Sequence, residues 1–336
     1  MSDKKDNQIC IVYASDNRFA EILGVSLVSL FEQSRDAADI LVYILDSGIS
    51  DANKERLRTV FRDYDRREPI FLTAKNINQE LNLKVNLDRG SLSQYARLFL
   101  SSLLPEHLDR VLYLDCDILF KQSIKKLWDV DLQGKTIGAL MDAFSTYYRK
   151  NIDLQPRDIM FNSGVMLIDL VRWKEKKIEE QLMTFIKKKK GAIQQGDQGA
   201  LNAVLSHDVY CFSPIFNSVT IFYDFTYPEI FTYRQPPVFY PEKAIKEAVE
   251  HPVLVHFTTS IFSKRPWLAG SRHRYAKDWL TYKEKSPWQA EPLWADPRSG
   301  LKKGILNLLF SMPRPFVLWI ARIMQVYVRP FYYGTK

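Results

Sequence analysis

The feature that most constrains the fold is an alternation at the start of the chain, in which apolar runs end in polar loops and lead into helically spaced apolar residues. Ile9 to Tyr13 runs through Ala14-Ser15-Asp16-Asn17 into Phe19 to Phe31. Ile40 to Leu45 ends at Asp46-Ser47-Gly48 and is followed by a polar helical stretch, Asp51 to Tyr64. Pro69 to Leu72 is a third strand candidate. Strands alternating with helices predict an α/β domain with a mostly parallel sheet, where ligands bind beyond the carboxyl ends of the strands.

Further along, Ser93 to Leu103 reads as a helix carrying Arg97, and Val111 to Leu114 as a strand entering Asp115-Cys116-Asp117. Ile137 to Met141 and Gly164 to Ile168 are further strands, and Trp173 to Lys190 reads as one helix ending near Gly191. Its closing lysines, Lys187 to Lys190, suit a solvated helix C-terminus. Ser213 to Pro241 is rich in Phe, Tyr and Pro with few regular signals, so it is either a packed irregular subdomain or a binding wall. Pro252 to Phe257 is the last strand and contains His256.

With 336 residues, 46% of them hydrophobic, the chain has ample material for a core. Cys10, Cys116 and Cys211 show no paired or metal-finger spacing, which fits a reducing cytoplasm. The N-terminal MSDKKDNQ leads straight into the first strand, so no export signal is expected. No uninterrupted apolar run approaches the roughly 20 residues that cross a bilayer.

The net charge of +8 is concentrated at one end. No acidic residue follows Asp296, whereas Arg298, Lys302, Lys303, Arg314, Arg322, Arg329 and Lys336 do. The body is therefore close to neutral, which argues against a nucleic-acid-binding face. Residues 286–336 form a basic tail in which Leu301 to Phe310 and Phe316 to Val328 are apolar stretches broken by Pro313 and Pro315. With Trp319, Tyr327, Phe331, Tyr332 and Tyr333 interspersed, the tail suits a helix lying on an anionic membrane surface, ahead of one docked on the domain or a partner subunit. Residues 7–285 then form the globular domain.

The chemistry centres on Asp115 and Asp117. Two carboxylates closing an apolar run repel each other and lose hydration, and a cation is the natural compensation. On its own, such a pair reads more simply as a solvated strand end. Oxygen ligands favour Mg²⁺ or Mn²⁺, and an imidazole shifts the preference to Mn²⁺. His256 is the best-placed imidazole because it closes Val253-Leu254-Val255. A metal there would neutralise a diphosphate, and the chain has neither GxGxxG nor GxxxxGK[ST] to cradle phosphates otherwise.

Seven segments, in order from Ile11 to Trp267, resemble glycosyltransferase family 8: IVYASDN, LDSGIS, QYARLFL, RVLYLDCDIL, FNSGVMLIDL, GDQGALN and VHF…KRPW. The resemblance implies a GT-A, Rossmann-like fold binding a UDP-sugar. It implies that the Ala14, Ser15, Asp16 and Asn17 loop, with Asp16 foremost, meets uridine and ribose. Arg97 would reach the diphosphate or sugar, and Asp115 and Asp117 with His256 would hold Mn²⁺, with Mg²⁺ as the alternative. Cys116 lies within that donor site, and Asp115 would also touch the ribose. Lys264 or Arg265 would take the diphosphate from the other side; the Thr258-Thr259-Ser260 stretch departs from the family's pattern and leaves that choice open. Asp142, Asn162, Asp197 and Gln198 would surround the transferred sugar; taken alone, Asn162 reads as a turn residue and Asp197 as a helix cap.

Family membership further implies retention of anomeric configuration. Double displacement would need a carboxylate nucleophile beneath the sugar, but the resemblance places the amide of Gln198 there, which favours front-face transfer. The expectation is a hexosyltransferase moving glucose or galactose from a UDP-sugar to a glycan or lipid-linked acceptor in bacterial surface glycan synthesis. It would be cytoplasmic and peripheral at the inner membrane face, with a homo-oligomer compatible. The rivals are a haloacid-dehalogenase-type phosphatase with Asp115 as nucleophile, whose DxD normally opens the fold, and an inactive membrane-bound scaffold.

Overall fold

The computed structural model describes residues 8–37, 39–86 and 91–334; the side chains of 301–303, 307 and 333–334 also lie outside that description. The readings of the N-terminal MSDKKDN, of the Lys302, Lys303 and Tyr333 side chains, and of Lys336 fall outside it.

The strands are β1 (Gln8–Ser15), β2 (Asp39–Asp46), β3 (Ile70–Thr73), β4 (Arg110–Leu114), β5 (Ile118–Phe120), β6 (Ile137–Met141), β7 (Phe161–Asp169), β8 (Val209–Cys211), β9 (Ser218–Val219) and β10 (Leu254–His256). A seven-stranded sheet runs β3-β2-β1-β4-β7-β6-β8, and a three-stranded one runs β5-β10-β9. In the large sheet only β7 is antiparallel to its neighbours. The mostly parallel α/β architecture expected from the alternation is therefore present.

Two cores cover the large sheet. Along β1, Ile9, Ile11 and Tyr13 join one hydrophobic cluster and Cys10 and Val12 the other, as the two-residue period of a strand requires. Helix α1 (Ala20–Gln33) is buried continuously from Ala20 to Phe31, because β5, the helix Asp51–Asp63 and the helix Ala276–Glu284 all pack against it. At Gly24 a Cβ would fall 2.2 Å from the Trp288 ring, so only glycine lets α1 approach that indole. Helix α2 (Asp51–Asp63) buries only Leu57, Val60 and Phe61, and its N-terminus is capped by Ser50 accepting from the Asn53 amide.

Chain order creates the crevice. From β1 the chain moves outward to β3 and then returns to β4 on β1's other side, so the connections diverge between β1 and β4. Ligands bind at such a switch point in open α/β sheets. Tyr13 pairs with Leu114 there, which sets Ala14 beside Asp115.

Three expected elements differ. The Arg97 segment is a 3₁₀ helix, Leu92–Phe99, passing into a short α turn, Leu100–Leu103. The single helix expected from Trp173 to Lys190 is two, Leu170–Glu175 and Ile178–Lys188, broken where Lys177 takes a left-handed φ of 51°. Ser213 to Pro241 contains a 3₁₀ turn, β9 and two short helices, Ile221–Asp224 and Tyr227–Arg234, with Phe225 stacked on Tyr233 at 4.8 Å. It is both packed and wall-forming, since Val219, Ile221 and Arg234 line the central pocket.

The tail continues as helices Gly300–Phe310, Arg314–Arg322 and Arg329–Gly334, with a π-helical stretch, Ile323–Val328. Val317, Leu318, Ala321 and Val326 are buried against the body. Arg314 forms a bidentate pair with Glu229, at 2.7 and 2.8 Å, and Gln325 donates to the Tyr148 hydroxyl at 2.7 Å. Phe316, Trp319, Met324, Tyr327, Phe331 and Tyr332 remain exposed. One face of the tail is docked and the other is apolar and open.

Candidate active site

The small sheet brings the expected metal ligands together. Antiparallel pairing sets His256 opposite Ile118, and Phe257 N donates to the Asp117 carbonyl at 2.9 Å. His256 Nε2 lies 3.2 Å from Asp117 Oδ1 and 3.8 Å from Asp115 Oδ2. One ligand atom from each residue fits within a 4.8 Å span.

A second layer orients the imidazole. Asn217, immediately before β9, donates through Nδ2 to Asn162 Oδ1 at 3.0 Å, so its Oδ1 accepts from His256 Nδ1, also at 3.0 Å. Nε2 is then the nitrogen that faces the two carboxylates. Two carboxylates and an imidazole nitrogen converging within this span could hold a divalent cation, and the mixture suits Mn²⁺ or Mg²⁺.

Gly164 on β7 makes the convergence sterically feasible. A Cβ at this position would sit 2.2 Å from His256 Cε1 and 2.8 Å from Asp115 Oδ2. The same glycine's carbonyl accepts from Asp115 N at 2.8 Å, so strand pairing fixes the first carboxylate.

Arg97 is 5% exposed and bridges two carboxylates. Its Nη2 lies 2.8 Å from Asp115 Oδ1 and its Nε 2.9 Å from Asp197 Oδ2, while Nη1 donates to Ser163 O at 2.7 Å and Nε to Gln94 O at 3.1 Å. The Tyr113 ring covers the guanidinium at 4.4 Å. Burial alone would lower its pKa; the fields of Asp115, Tyr113 and Asp197 outweigh burial and hold it above the ordinary value. Arg97 thus organises carboxylates within the protein as well as lining the pocket.

Asp197 opens the helix Asp197–Leu205, whose N-cap Gly196 takes a φ of 58°. Asp197 is therefore the first helical residue, not the cap. Its Oδ2 has a charge partner in Arg97 but no hydrogen-bond donor, and burial, only partly offset by Arg97, pushes the carboxyl up to about 6. Burial likewise raises Asp142 against the pull of Arg234 and Asn162. Asp117 goes the other way: burial would raise it, but His256 and Arg265 hold it below the usual carboxylate range. Asp117, at the metal end, is thus held toward its ionised form, whereas Asp142 and Asp197, farther along, resist ionisation.

Arg97, Asp115, Asp117, Asp142, Asn162, Asp197, Gln198, His256 and Arg265 all line one pocket. Gln198 Oε1 accepts from Ser163 N at 3.2 Å. Arg265 Nη2 lies 3.3 Å from Asp117 Oδ2, its Nε donates to Phe257 O at 3.1 Å, and the Trp267 ring supports it at 5.4 Å. Lys264 turns away to Asp296, at 3.0 Å.

Ala14 to Asn17 and Cys116 stand beside the pocket without lining it. Asp16 Oδ1 accepts from Arg18 N and Phe19 N, both at 3.1 Å, and Asn17 Oδ1 from Ser50 N at 2.9 Å, so these side chains shape their loop. The Cys116 thiol donates to Ala14 O at 3.2 Å and ties that loop to Asp115-Asp117. Sequence reasoning missed Asn217, Tyr113, Arg234 and Arg329. Asn217 lies in a segment without regular signals, and the others become site residues only through tertiary contacts.

A Rossmann-like sheet with a carboxylate, carboxylate and imidazole cluster at its switch point defines a glycosyltransferase of the GT-A type. The family model for glycosyl transferase family 8 matches residues 10–270, and the chain belongs to that family. It is 28% identical over 288 residues to general stress protein A of Bacillus subtilis (strain 168), covering 85% of this chain and 96% of that protein. It is 24% identical over 284 residues to lipopolysaccharide 1,2-glucosyltransferase of Escherichia coli (strain K12), covering 83% of this chain and 78% of the other. The solved galactosyltransferase LgtC, in complex with donor and acceptor sugar analogs, superposes with a TM-score of 0.69 at 24% identity, covering 88% of this chain and 99% of that one. These matches lend no support to the phosphatase or scaffold readings.

Proposed function

We propose that this transferase moves glucose or galactose from a UDP-sugar, with retention, to a saccharide or glycolipid acceptor in bacterial surface glycan synthesis, using Mn²⁺. The observation that carries the reading is the single pocket that joins Asp115, Asp117 and His256 to Arg265 at one end and to Asp142, Asn162, Asp197 and Gln198 along its wall.

Asp115, Asp117 and His256 would hold the metal, which when bound supplies Lewis-acid neutralisation of the leaving diphosphate. Arg265 adds a fixed cation on the same side, and its guanidinium fork matches phosphate oxygens. Arg97 locks Asp115 and Asp197 in register, so the site does not rearrange as charge develops. Asp142, Asn162 and Asp197 offer acceptors and donors to sugar hydroxyls and fix the orientation of the anomeric carbon. Gln198 presents an amide where double displacement would require a carboxylate, which supports transfer on one face of the sugar. UDP release from UDP-glucose and UDP-galactose, measured with Mn²⁺ and with chelator, tests the reading. Release from neither would refute it, and a trapped glycosyl adduct on Asp142 or Asp197 would refute the one-face mechanism.

The tail adds a location. Its outward Phe316, Trp319, Met324, Phe331 and Tyr332, with the tail's basic composition, suit an anionic surface at the inner face of the cell membrane. Among the described residues, no helix is long and apolar enough to cross a membrane. Co-sedimentation with anionic but not zwitterionic vesicles is expected. Equal partitioning into neither, with dimers by light scattering, would assign that face to a second copy instead.

A further inference from the structure

The stretch that follows the helix Ala276–Glu284 returns to the active site. Trp294 lies beyond residues 10–270, which the family model matches, and within the stretch that composition assigns to the tail. Its backbone nevertheless pairs with the loop that carries Arg265. Trp294 N donates to Trp267 O at 2.8 Å, and Ala269 N donates to Trp294 O at 2.9 Å. Trp267 is the ring that supports the Arg265 guanidinium, and the Trp294 ring meets it edge-on at 6.3 Å between centroids.

The Trp294 side chain fixes this pairing to the start of α1. Its Nε1 donates to Glu21 Oε2 at 3.0 Å, and the other Glu21 oxygen pairs with Lys283, which also donates to Trp288 O at 2.6 Å. Glu21 and Lys283 are 8% and 4% exposed, so groups within the protein replace water around this charge pair. The Trp294 ring also meets Phe19 edge-on at 5.9 Å and carries the Arg18 guanidinium at 4.8 Å. The backbone amides of Arg18 and Phe19 are the two that donate to Asp16 Oδ1. One residue therefore touches both the Arg265 loop and the turn that shapes the Asp16 loop.

We propose that Trp294 is a positioning residue for the donor diphosphate, acting through Arg265. From Thr258 to Trp267 the chain forms neither helix nor strand, and an irregular loop keeps a cation in one place only where tertiary contacts hold it. Asp224 holds one side of this loop by accepting from Ser263 N at 3.2 Å. Trp294 holds the other, where Trp267 backs Arg265, and so keeps Arg265 Nη2 at 3.3 Å from Asp117 Oδ2, at the metal end of the pocket. This role rests on the transferase reading.

The test is a double-mutant cycle read by calorimetric titration of the full chain with UDP in Mn²⁺. Arg265→Ala alone is expected to lose about tenfold in affinity, the scale of one charge-assisted contact, and Trp294→Ala alone about fivefold. Because Trp294 acts through Arg265, the losses should not multiply: the double variant should bind about tenfold more weakly than wild type, not about fiftyfold. Trp294→Phe, which keeps an aromatic ring, should return to within about twofold of wild type. Circular dichroism establishes folding, and if Trp294→Ala does not fold, Trp294→Leu takes its place in the cycle. Leu182→Ala, in the other hydrophobic cluster, costs stability and should leave both UDP binding and the Arg265→Ala loss unchanged, so lost stability alone does not imitate the coupling. Losses that multiply, or wild-type affinity in Trp294→Ala, overturn the proposal and leave the transferase reading standing. Wild-type protein that binds no UDP sinks the transferase reading and this inference with it.

Discussion

Gly164→Ala is the smallest change that interrogates the proposed metal cluster. The added methyl would meet His256 Cε1 at 2.2 Å and Asp115 Oδ2 at 2.8 Å, so it cannot be accommodated unless both move. His256 is pinned by Asn217 and Asp115 by Arg97, which leaves the ligand set open to displacement by roughly an ångström. Disturbing ligand orientation costs about 10- to 100-fold in metal affinity, and overpacking costs about 1–3 kcal/mol of stability. At a Mn²⁺ concentration 100 times the wild-type Kd, the metal stabilises the fold by about 2.7 kcal/mol; after a 10- to 100-fold loss that falls to roughly 1.4–0.4 kcal/mol. Denaturant melts with and without Mn²⁺ measure the difference, and circular dichroism establishes that the variant folds. A folded Gly164→Ala protein that retained the full Mn²⁺-dependent stabilisation would refute the assignment of Asp115 and His256 to one metal.

Asn217→Ala leaves His256 Nδ1 without its acceptor, and Mn²⁺ titration should show about a tenfold loss of affinity with little change in fold. Arg265→Ala should weaken UDP binding about tenfold, whereas Lys264→Ala, which breaks a half-buried pair with Asp296 that turns away from the pocket, should change it by less than about threefold. Asp197 supplies a pH test in chelator. Its folded pKa of about 6 lies above the unfolded value of about 3.9, so the folded state binds the extra proton between those limits. Stability from this group is present below about pH 4 and lost as pH rises through about 6. Asp197→Asn should therefore gain on the wild type by about 3 kcal/mol between pH 4 and 7, read from denaturant midpoints; a pH-independent difference would place the shift elsewhere.

Much of this was legible in the chain because it is local. β1, β2 and β4 are apolar runs ending at polar turns, and Asp115 and Asp117 follow β4 directly. His256 was legible as a candidate because it closes an apolar strand, and the resemblance added its partnership with Asp115 and Asp117; the pairing of β5 with β10 across a long separation in sequence was not legible. The break in the lysine-rich helix was hidden because Lys177 adopts a left-handed conformation without the glycine that usually marks one. Arg97 was expected to reach the diphosphate or sugar; it lines the pocket, and its contacts with Asp115, Ser163 and Gln94, made by tertiary packing, were not legible. The tail's composition signalled a surface helix but not that Arg329 would reach the catalytic pocket.

The central claim is that Asp115, Asp117 and His256 hold a cation that in turn holds the diphosphate of a nucleotide sugar. Calorimetric titration with UDP, first in Mn²⁺ and then in chelator, tests it most directly. Binding should weaken by at least about tenfold without the metal, and Asp117→Asn should bind equally weakly under both conditions. UDP that bound the wild type equally well with and without Mn²⁺ would contradict the account.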